Sequence, residues 1–243
     1  WEWSSPIVVC GRPRSGTTFV RLLLNSHADI HISREMRTDF FTSARRLFHL
    51  ATASFARESW RETDPATARA LLLRSLWLFA EPAGFHARRI GNKTPGNELR
   101  IPFYEQAFAV CPPLYVYVLR RGVDQLRSFK RAPWGGDATL PELAADYRRS
   151  VERIEALAAT APERVLVVQP DCAATPAARA ALVERLFDFV GERVTAPVAA
   201  FTRAWERANA SAPDSGEGFT AAELDDLAAD APFQAIQARY GYA

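Results

Sequence analysis

Short apolar runs alternate with longer amphipathic stretches along this chain, and the alternation predicts an α/β fold. Residues 6–10, 114–119 and 164–168 are rich in Val, Leu, Ile and Tyr, as in buried strands. Residues 140–159 carry apolar side chains at spacings of three and four, which predicts an amphipathic helix, and a second predicted helix at residues 177–190 ends before a glycine. Because buried strands separated by helices favour a parallel sheet, we expect such a sheet with helices on both faces.

A glycine-rich loop joins the first predicted strand to a helical pattern that runs from Phe19 to Asn25. Its sequence is Gly11-Arg12-Pro13-Arg14-Ser15-Gly16-Thr17-Thr18. This is the layout of a phosphate-binding (P-loop-type) loop, GxxxxG followed by hydroxyl residues. Such a junction directs backbone N–H groups and the positive end of the helix dipole at an anion.

The loop lacks one residue that a nucleotide triphosphatase needs. Thr17 stands where that class of protein has its lysine. We therefore expect Arg14 to supply the positive charge, by forking onto two oxygens of a phosphoryl or sulfuryl group. The alternative is a tight turn with a solvated pair of arginines.

A second basic cluster follows the second predicted strand. Residues 120–131 contain five basic side chains and one acidic side chain, although the formal net charge of the whole chain is only +2. Taken alone, the cluster is typical of a solvated helix face. Together with the loop, it predicts a second anion site at the same edge of the sheet.

Composition limits the class of protein. The chain has 243 residues, 48% of them hydrophobic and 24% charged, so we expect one globular domain over residues 1–243. The near-neutral charge argues against a nucleic-acid partner. Three widely spaced cysteines indicate buried free thiols rather than a zinc site or disulfides, and the longest apolar run, residues 71–80, is too short to cross a bilayer.

Two further segments have distinctive composition. Residues 40–85 are helical in pattern and rich in Phe, Trp and Arg, which predicts an inserted helical layer and an acceptor pocket that is at least partly apolar. Residues 208–218 have loop composition, and we expect at most a lid there. His27 and His31 have the spacing of a metal pair without an obvious third ligand, so we interpret them as structural or acceptor-site residues.

The segment PIVVCGRPRSGTTFVRLLLNSH, residues 6–27, resembles the 5′-phosphosulfate loop of the sulfotransferases that use 3′-phosphoadenylyl sulfate (PAPS). Arg120 and Ser128 resemble the pair with which that family grips the 3′-phosphate. The resemblance implies PAPS as donor, its desulfated form PAP as product, and no metal. It also implies that the donor contacts are Arg12, Pro13, Arg14, Ser15, Gly16, Thr17, Thr18, Arg120 and Ser128.

The resemblance also implies catalytic residues. Lys93-Thr94-Pro95 stands where cytosolic family members have Lys-Thr-His, so their histidine base is absent. The surrounding sequence is closer to the Golgi and tyrosylprotein branches, whose base is a glutamate. Glu35 then corresponds to the base and Arg37 to a substrate contact beside it. Lys93 corresponds to the residue that contacts the oxygen between sulfate and phosphate, with Arg14 sharing that role.

Several alternatives stay open at this point. A phosphotransferase that uses ATP and Mg²⁺, and an inactive module that binds PAP, are the competing interpretations. The acceptor is also left open among a carbohydrate, a tyrosine-containing peptide, a small phenol, an alcohol and an amine. The Ala- and Arg-rich composition favours a GC-rich bacterial genome and hence the cytoplasm, where PAPS is made, while an anchor ahead of Trp1 and the oligomeric state are left open.

Overall fold

The computed structural model describes residues 4–35, 87–133, 137–205 and 219–242. The strands are β1 (Ile7–Cys10), β2 (Ile30–Ser33), β3 (Arg89–Lys93), β4 (Leu114–Val118) and β5 (Val165–Val168). The α-helices are α1 (Thr17–Asn25), α2 (Ile101–Ala107), α3 (Gly122–Lys130), α4 (Leu140–Thr160), α5 (Pro176–Phe189), α6 (Ala196–Arg203), α7 (Ala221–Ala229) and α8 (Ala231–Arg239). Short 3₁₀ helices cover Asn97–Arg100, Pro162–Arg164 and Pro170–Cys172.

The five strands form one parallel sheet in the order β2-β3-β1-β4-β5. β1 lies at the centre, with Ile7 opposite Gly91 of β3 on one side and Leu114 of β4 on the other. Because all strands run in the same direction, their carboxyl ends meet at one edge. The residues that follow β1, β2, β3 and β4 therefore converge there, as in other open α/β sheets that bind ligands.

Successive side chains of a strand point to opposite faces of the sheet, and helices cover both faces. Val8 and Tyr117 face the core formed with α2, α4 and α8. Val9 and Val116 face the core formed with α1, α5 and α6. The predicted α/β architecture, a parallel sheet with helices on both faces, is confirmed.

Three strands lie where the sequence predicts them, namely β1, β4 and β5, and the long helices α4 and α5 also match. β2 and β3 were not predicted. β2 has only four residues, and β3 contains Gly91 and Asn92, which are poor strand formers. Pairing of β3 on both sides, with β1 and with β2, outweighs that weak propensity. The predicted helical layer at residues 40–85 and the predicted loop at residues 208–218 lie outside the described residues.

The cysteine prediction needs one correction. All three cysteines are free and two, Cys10 and Cys111, are buried as expected, but Cys172 is exposed. Cys172 is the last residue of the short 3₁₀ helix that follows β5. Among the described helices, none is both long enough and apolar enough to cross a membrane.

The start of α3 allows a test of the packing. A Cβ atom at Gly122 would lie 2.3 Å from Cζ of Phe233 in α8. Gly122→Ala should therefore lower the free energy of unfolding by about 1–3 kcal/mol, measured by urea denaturation. In the double variant Gly122→Ala/Phe233→Leu the clashing ring atoms of Phe233 are gone and only Nε2 of Gln237, at 2.8 Å, stays close, so the two losses should be less than additive. Strict additivity would show that α8 does not pack on α3.

Candidate active site

The glycine-rich loop takes its shape from residues with left-handed backbone. Gly11 has φ 126°, and a Cβ atom there would lie 2.3 Å from the carbonyl oxygen of Val118, so only glycine fits beside β4. Gly16, with φ 103°, ends the loop as the N-cap of α1. Arg14 has φ 73°, which is uncommon for a residue with a side chain.

The loop and the start of α1 are open to an anion. α1 has no side-chain cap and no acidic residue in its first turn, so its first N–H groups lack a protein partner of that kind. The hydroxyl of Ser15 is buried and has no hydrogen-bond partner among the described residues. A buried hydroxyl beside unpaired N–H groups fits a sulfate- or phosphate-bearing ligand.

The structure brings three of the predicted donor contacts together. Nε of Arg14 donates to the hydroxyl of Ser128 in α3 at 2.9 Å, and Nη1 of Arg120 donates to the carbonyl oxygen of Arg14 at 3.3 Å. The loop and the basic segment after β4 are therefore in direct contact. Arg14 lies at their junction.

Arg12 and Pro13, two further predicted donor contacts, also contact the helices beside the loop. The side chain of Arg12, 13% exposed, pairs through its guanidinium with Asp146 of α4 at 3.1 Å. The carbonyl oxygen of Pro13 accepts a hydrogen bond from the side chain of Gln125 in α3. These contacts fix the outer side of the loop to α3 and α4.

Lys93 is the point where three elements meet. It ends β3, and its ammonium donates both to the Glu35 carboxylate, just beyond β2, and to the Thr18 hydroxyl of α1, the latter at 3.1 Å. The side chain of Lys93 is only 4% exposed, whereas that of Glu35 is 55% exposed. Burial lowers the pKa of Lys93, while its contact with Glu35 opposes the shift and the charge of Arg21 adds to it.

A buried polar network supports the Lys93–Glu35 pair. Asn92, fully buried, donates from Nδ2 to the Ser33 hydroxyl and to the carbonyl oxygen of Arg34, both at 3.0 Å. Its Oδ1 accepts from Thr94 at 3.0 Å and from Asn97 at 3.2 Å. Since Arg34 directly precedes Glu35, this network sets where the Glu35 backbone leaves the sheet.

A second set of contacts holds the segment that carries Arg120. Tyr147 donates to the carbonyl oxygen of Arg120 at 3.0 Å, and the N–H groups of Arg121 and Gly122 donate to Asp171 at 2.9 Å and to Gln237 at 2.7 Å. Sequence reasoning missed Asn92, Tyr147, Asp171 and Gln237. Their residue types are ordinary, and the contacts that tie them to the site, such as those of Asn92 with Ser33 and Arg34, join distant parts of the chain, so no local pattern marks them.

Among the described residues, His27, Asp29 and Glu192 place ligand atoms within 4.8 Å of one another. Nδ1 of His27 accepts the N–H of Asp29, however, and the Glu192 carboxylate pairs with Arg88 and Arg89. His31, which has the spacing of a metal pair with His27 in the sequence, is not in this group. We infer no metal site from it. Arg37, the predicted substrate contact, lies outside the described residues.

Comparison with known proteins identifies the family. Residues 6–197 match the profile of the Sulfotransferase family, and the chain therefore belongs to that family. No curated protein matches the sequence significantly.

Solved structures share the fold at low sequence identity. The sulfotransferase domain from the curacin biosynthetic pathway has a TM-score of 0.59 at 12% identity, covering 100% of this chain and 99% of that domain. The sulfotransferase domain of the Synechococcus PCC 7002 olefin synthase has a TM-score of 0.55 at 15% identity, covering 94% and 96%. Sulfotransferase STF9 from Mycobacterium avium has a TM-score of 0.53 at 16% identity, covering 98% of this chain and 76% of that one.

The contact between Lys93 and Glu35 can be tested by titration. Glu35 raises the pKa of Lys93 against the effect of burial, so Glu35→Gln should lower the pKa of Lys93 further. NMR titration of ¹³Cε-labelled lysine measures this shift. The matched control is Glu152→Gln, an exposed acid of α4, which should leave Lys93 unchanged. An unchanged Lys93 pKa in Glu35→Gln would mean that the pair does not form in solution.

Proposed function

We propose that this protein transfers a sulfuryl group from PAPS to a hydroxyl or amine of an acceptor, with Glu35 as general base. Family membership supports sulfotransferase activity. The observation that carries the finer proposal is the position of Lys93, whose ammonium contacts both the Thr18 hydroxyl, in the first turn of α1 after the loop, and the Glu35 carboxylate. Positive charge, anion loop and base therefore meet at one point.

The residues present fit the donor. PAPS supplies a sulfuryl group that is already activated by its bond to phosphate. The loop N–H groups and the Ser15 hydroxyl would hold the phosphosulfate end, and Arg120 and Ser128 would hold the 3′-phosphate. Arg14 lies between these two groups of residues, so its guanidinium can reach toward either phosphate.

Glu35 has the features that a general base requires. Its carboxylate is more than half exposed, so an acceptor can approach it, and its contact with Lys93 holds it beside the anion loop. Glu35 would take the proton of the acceptor as the new oxygen–sulfur or nitrogen–sulfur bond forms. Lys93 and Arg14 would stabilise the negative charge that develops on the departing phosphate oxygen.

The same geometry bears on the competing ATP-dependent reaction. In a triphosphatase loop, the hydroxyl that follows the lysine holds Mg²⁺. Here the hydroxyl at that position, Thr18, accepts a hydrogen bond from the Lys93 ammonium. The hydroxyl that would hold Mg²⁺ therefore already contacts a positive charge of the protein, which favours a metal-independent transfer.

The glutamate base favours the Golgi and tyrosylprotein branch over the cytosolic one, because Pro95 replaces the histidine of the cytosolic enzymes. Carbohydrate, tyrosine-containing peptide, phenol, alcohol and amine acceptors all remain compatible with this chemistry. We further propose a bacterial cytoplasmic protein, on the basis of its composition.

Donor binding is tested by calorimetry with PAP and with AMP, which lacks the 3′-phosphate. PAP should bind more tightly than Mg-ATP. Arg120→Ala should weaken PAP binding by about 10- to 100-fold, since it removes charged hydrogen bonds, and should leave AMP binding almost unchanged. The control Arg153→Ala, an exposed arginine of α4, should change neither affinity. Equal losses for PAP and AMP would place the 3′-phosphate elsewhere, and no heat with PAP would refute the donor assignment.

The catalytic roles are tested by turnover of ³⁵S-labelled PAPS with a panel of carbohydrates, tyrosine peptides, phenols, alcohols and amines. Glu35→Gln should reduce kcat by ~10²- to 10⁴-fold while PAP still binds. Lys93→Met should also lose turnover, and Glu152→Gln should retain it. Full activity of Glu35→Gln would remove Glu35 as base. PAP binding by the wild type without turnover of any acceptor would favour the inactive binding module.

A further inference from the structure

A buried carboxylate lies directly behind the anion loop. Glu98, in the 3₁₀ helix Asn97–Arg100, is 0% exposed. Its Oε2 accepts the backbone N–H of Gly11 at 2.9 Å, and its Oε1 accepts the hydroxyl of Ser150 at 2.6 Å. Ser150 in turn contacts the hydroxyl of Tyr117 at 2.8 Å. Glu98 is therefore fixed from α4 and β4 and points at the first residue of the loop.

The same turn holds the other polar group of Gly11. The N–H of Gly96 donates to the carbonyl oxygen of Gly11 at 3.0 Å. Both backbone groups of Gly11 are thus bonded to residues 96–98, a few positions after Lys93. The left-handed conformation with which the loop begins is tied to the turn that ends the Lys93 strand.

A negative charge at this place is unexpected on electrostatic grounds. An anion in the loop is repelled by a carboxylate behind it, and burial weakens the screening of that repulsion. Apolar residues of similar size often replace buried charged groups without loss of stability. Packing therefore gives no reason for a carboxylate here. The carboxylate oxygen of Glu98, however, accepts the N–H of Gly11, which an apolar side chain could not do.

We propose that Glu98 is a positioning residue for the donor that acts through Gly11. The side-chain oxygen of Glu98 fixes the position of the loop relative to Lys93, and the negative charge of Glu98 is not needed for that role. The proposal rests on the proposed function for the identity of the donor. Its geometric part, the bond to Gly11, stands without it. Burial raises the pKa of Glu98, while its hydrogen bonds with Ser150 and Gly11 and the charge of Arg12 oppose the shift.

Two conservative variants test separately the side-chain oxygen and the negative charge of Glu98. Glu98→Gln keeps an oxygen at the same reach and removes the charge. Glu98→Asp keeps the charge and shortens the side chain, so the Gly11 N–H loses its acceptor. Glu98→Asp should weaken PAP binding about tenfold and raise the KM for PAPS more than it changes kcat, because a buried N–H is left unpaired. Glu98→Gln should bind PAP at least as tightly as the wild type.

Hydrogen exchange of the Gly11 amide, followed by NMR in the free protein, gives a readout that needs no donor. Exchange should be faster in Glu98→Asp and unchanged in Glu98→Gln. The control Ser150→Ala removes another bond of the same carboxylate and should leave Gly11 exchange within about twofold of the wild type, since the Gly11 N–H keeps its acceptor.

The outcomes are distinct. Equal losses of PAP affinity in Glu98→Gln and Glu98→Asp, or wild-type Gly11 exchange in Glu98→Asp, would overturn the positioning role. Failure of the wild type to bind PAP would instead overturn the donor assignment, and the Gly11 exchange rates would still decide whether Glu98 holds the loop.

Discussion

The position of the Lys93 ammonium is the constraint on which the rest of the site depends. Lys93 reaches the loop because β3 pairs with β1 in a register that places Val9 opposite Lys93. A shift of that register by one residue would turn Lys93 to the other face of the sheet. The buried ammonium then needs polar partners, and it finds them in Thr18 and Glu35. Sheet register, loop charge and candidate base are therefore one linked arrangement.

This arrangement places a positive charge at the loop although the loop has no lysine of its own. In a triphosphatase the lysine belongs to the loop, so its position follows from local sequence. Here Thr17 takes that place. The ammonium belongs instead to Lys93 at the end of the neighbouring strand β3, and it lies 3.1 Å from the hydroxyl of the next residue, Thr18. The charge at the loop is thus a product of tertiary structure. Its position depends on contacts such as those of Asn92, which join β3 to the end of β2.

The sequence predicted best what depends on neighbours in the chain. β1, β4 and β5 are apolar runs, and the loop is a contiguous motif between a strand and a helix. β3 was missed because Gly91 and Asn92 are poor strand formers that only pairing on both sides keeps in the sheet. Glu35 and Lys93 were found only through family resemblance, since a single acid or lysine has no signature. Glu98 had none either, because its role comes from a contact across 87 positions of the chain.

The supports of the basic segment after β4 have a consequence for binding. Asp171 accepts both the N–H of Arg121 and the hydroxyl of Tyr242, each at 2.9 Å, and Gln237 accepts the N–H of Gly122. The backbone beneath Arg120 is therefore fixed before any ligand arrives. Ordering a backbone costs free energy that would otherwise reduce affinity. In the proposed mode of donor binding, the described backbone on either side of Arg120 needs no further ordering, so the support from Asp171 and Gln237 would contribute to affinity without touching the ligand.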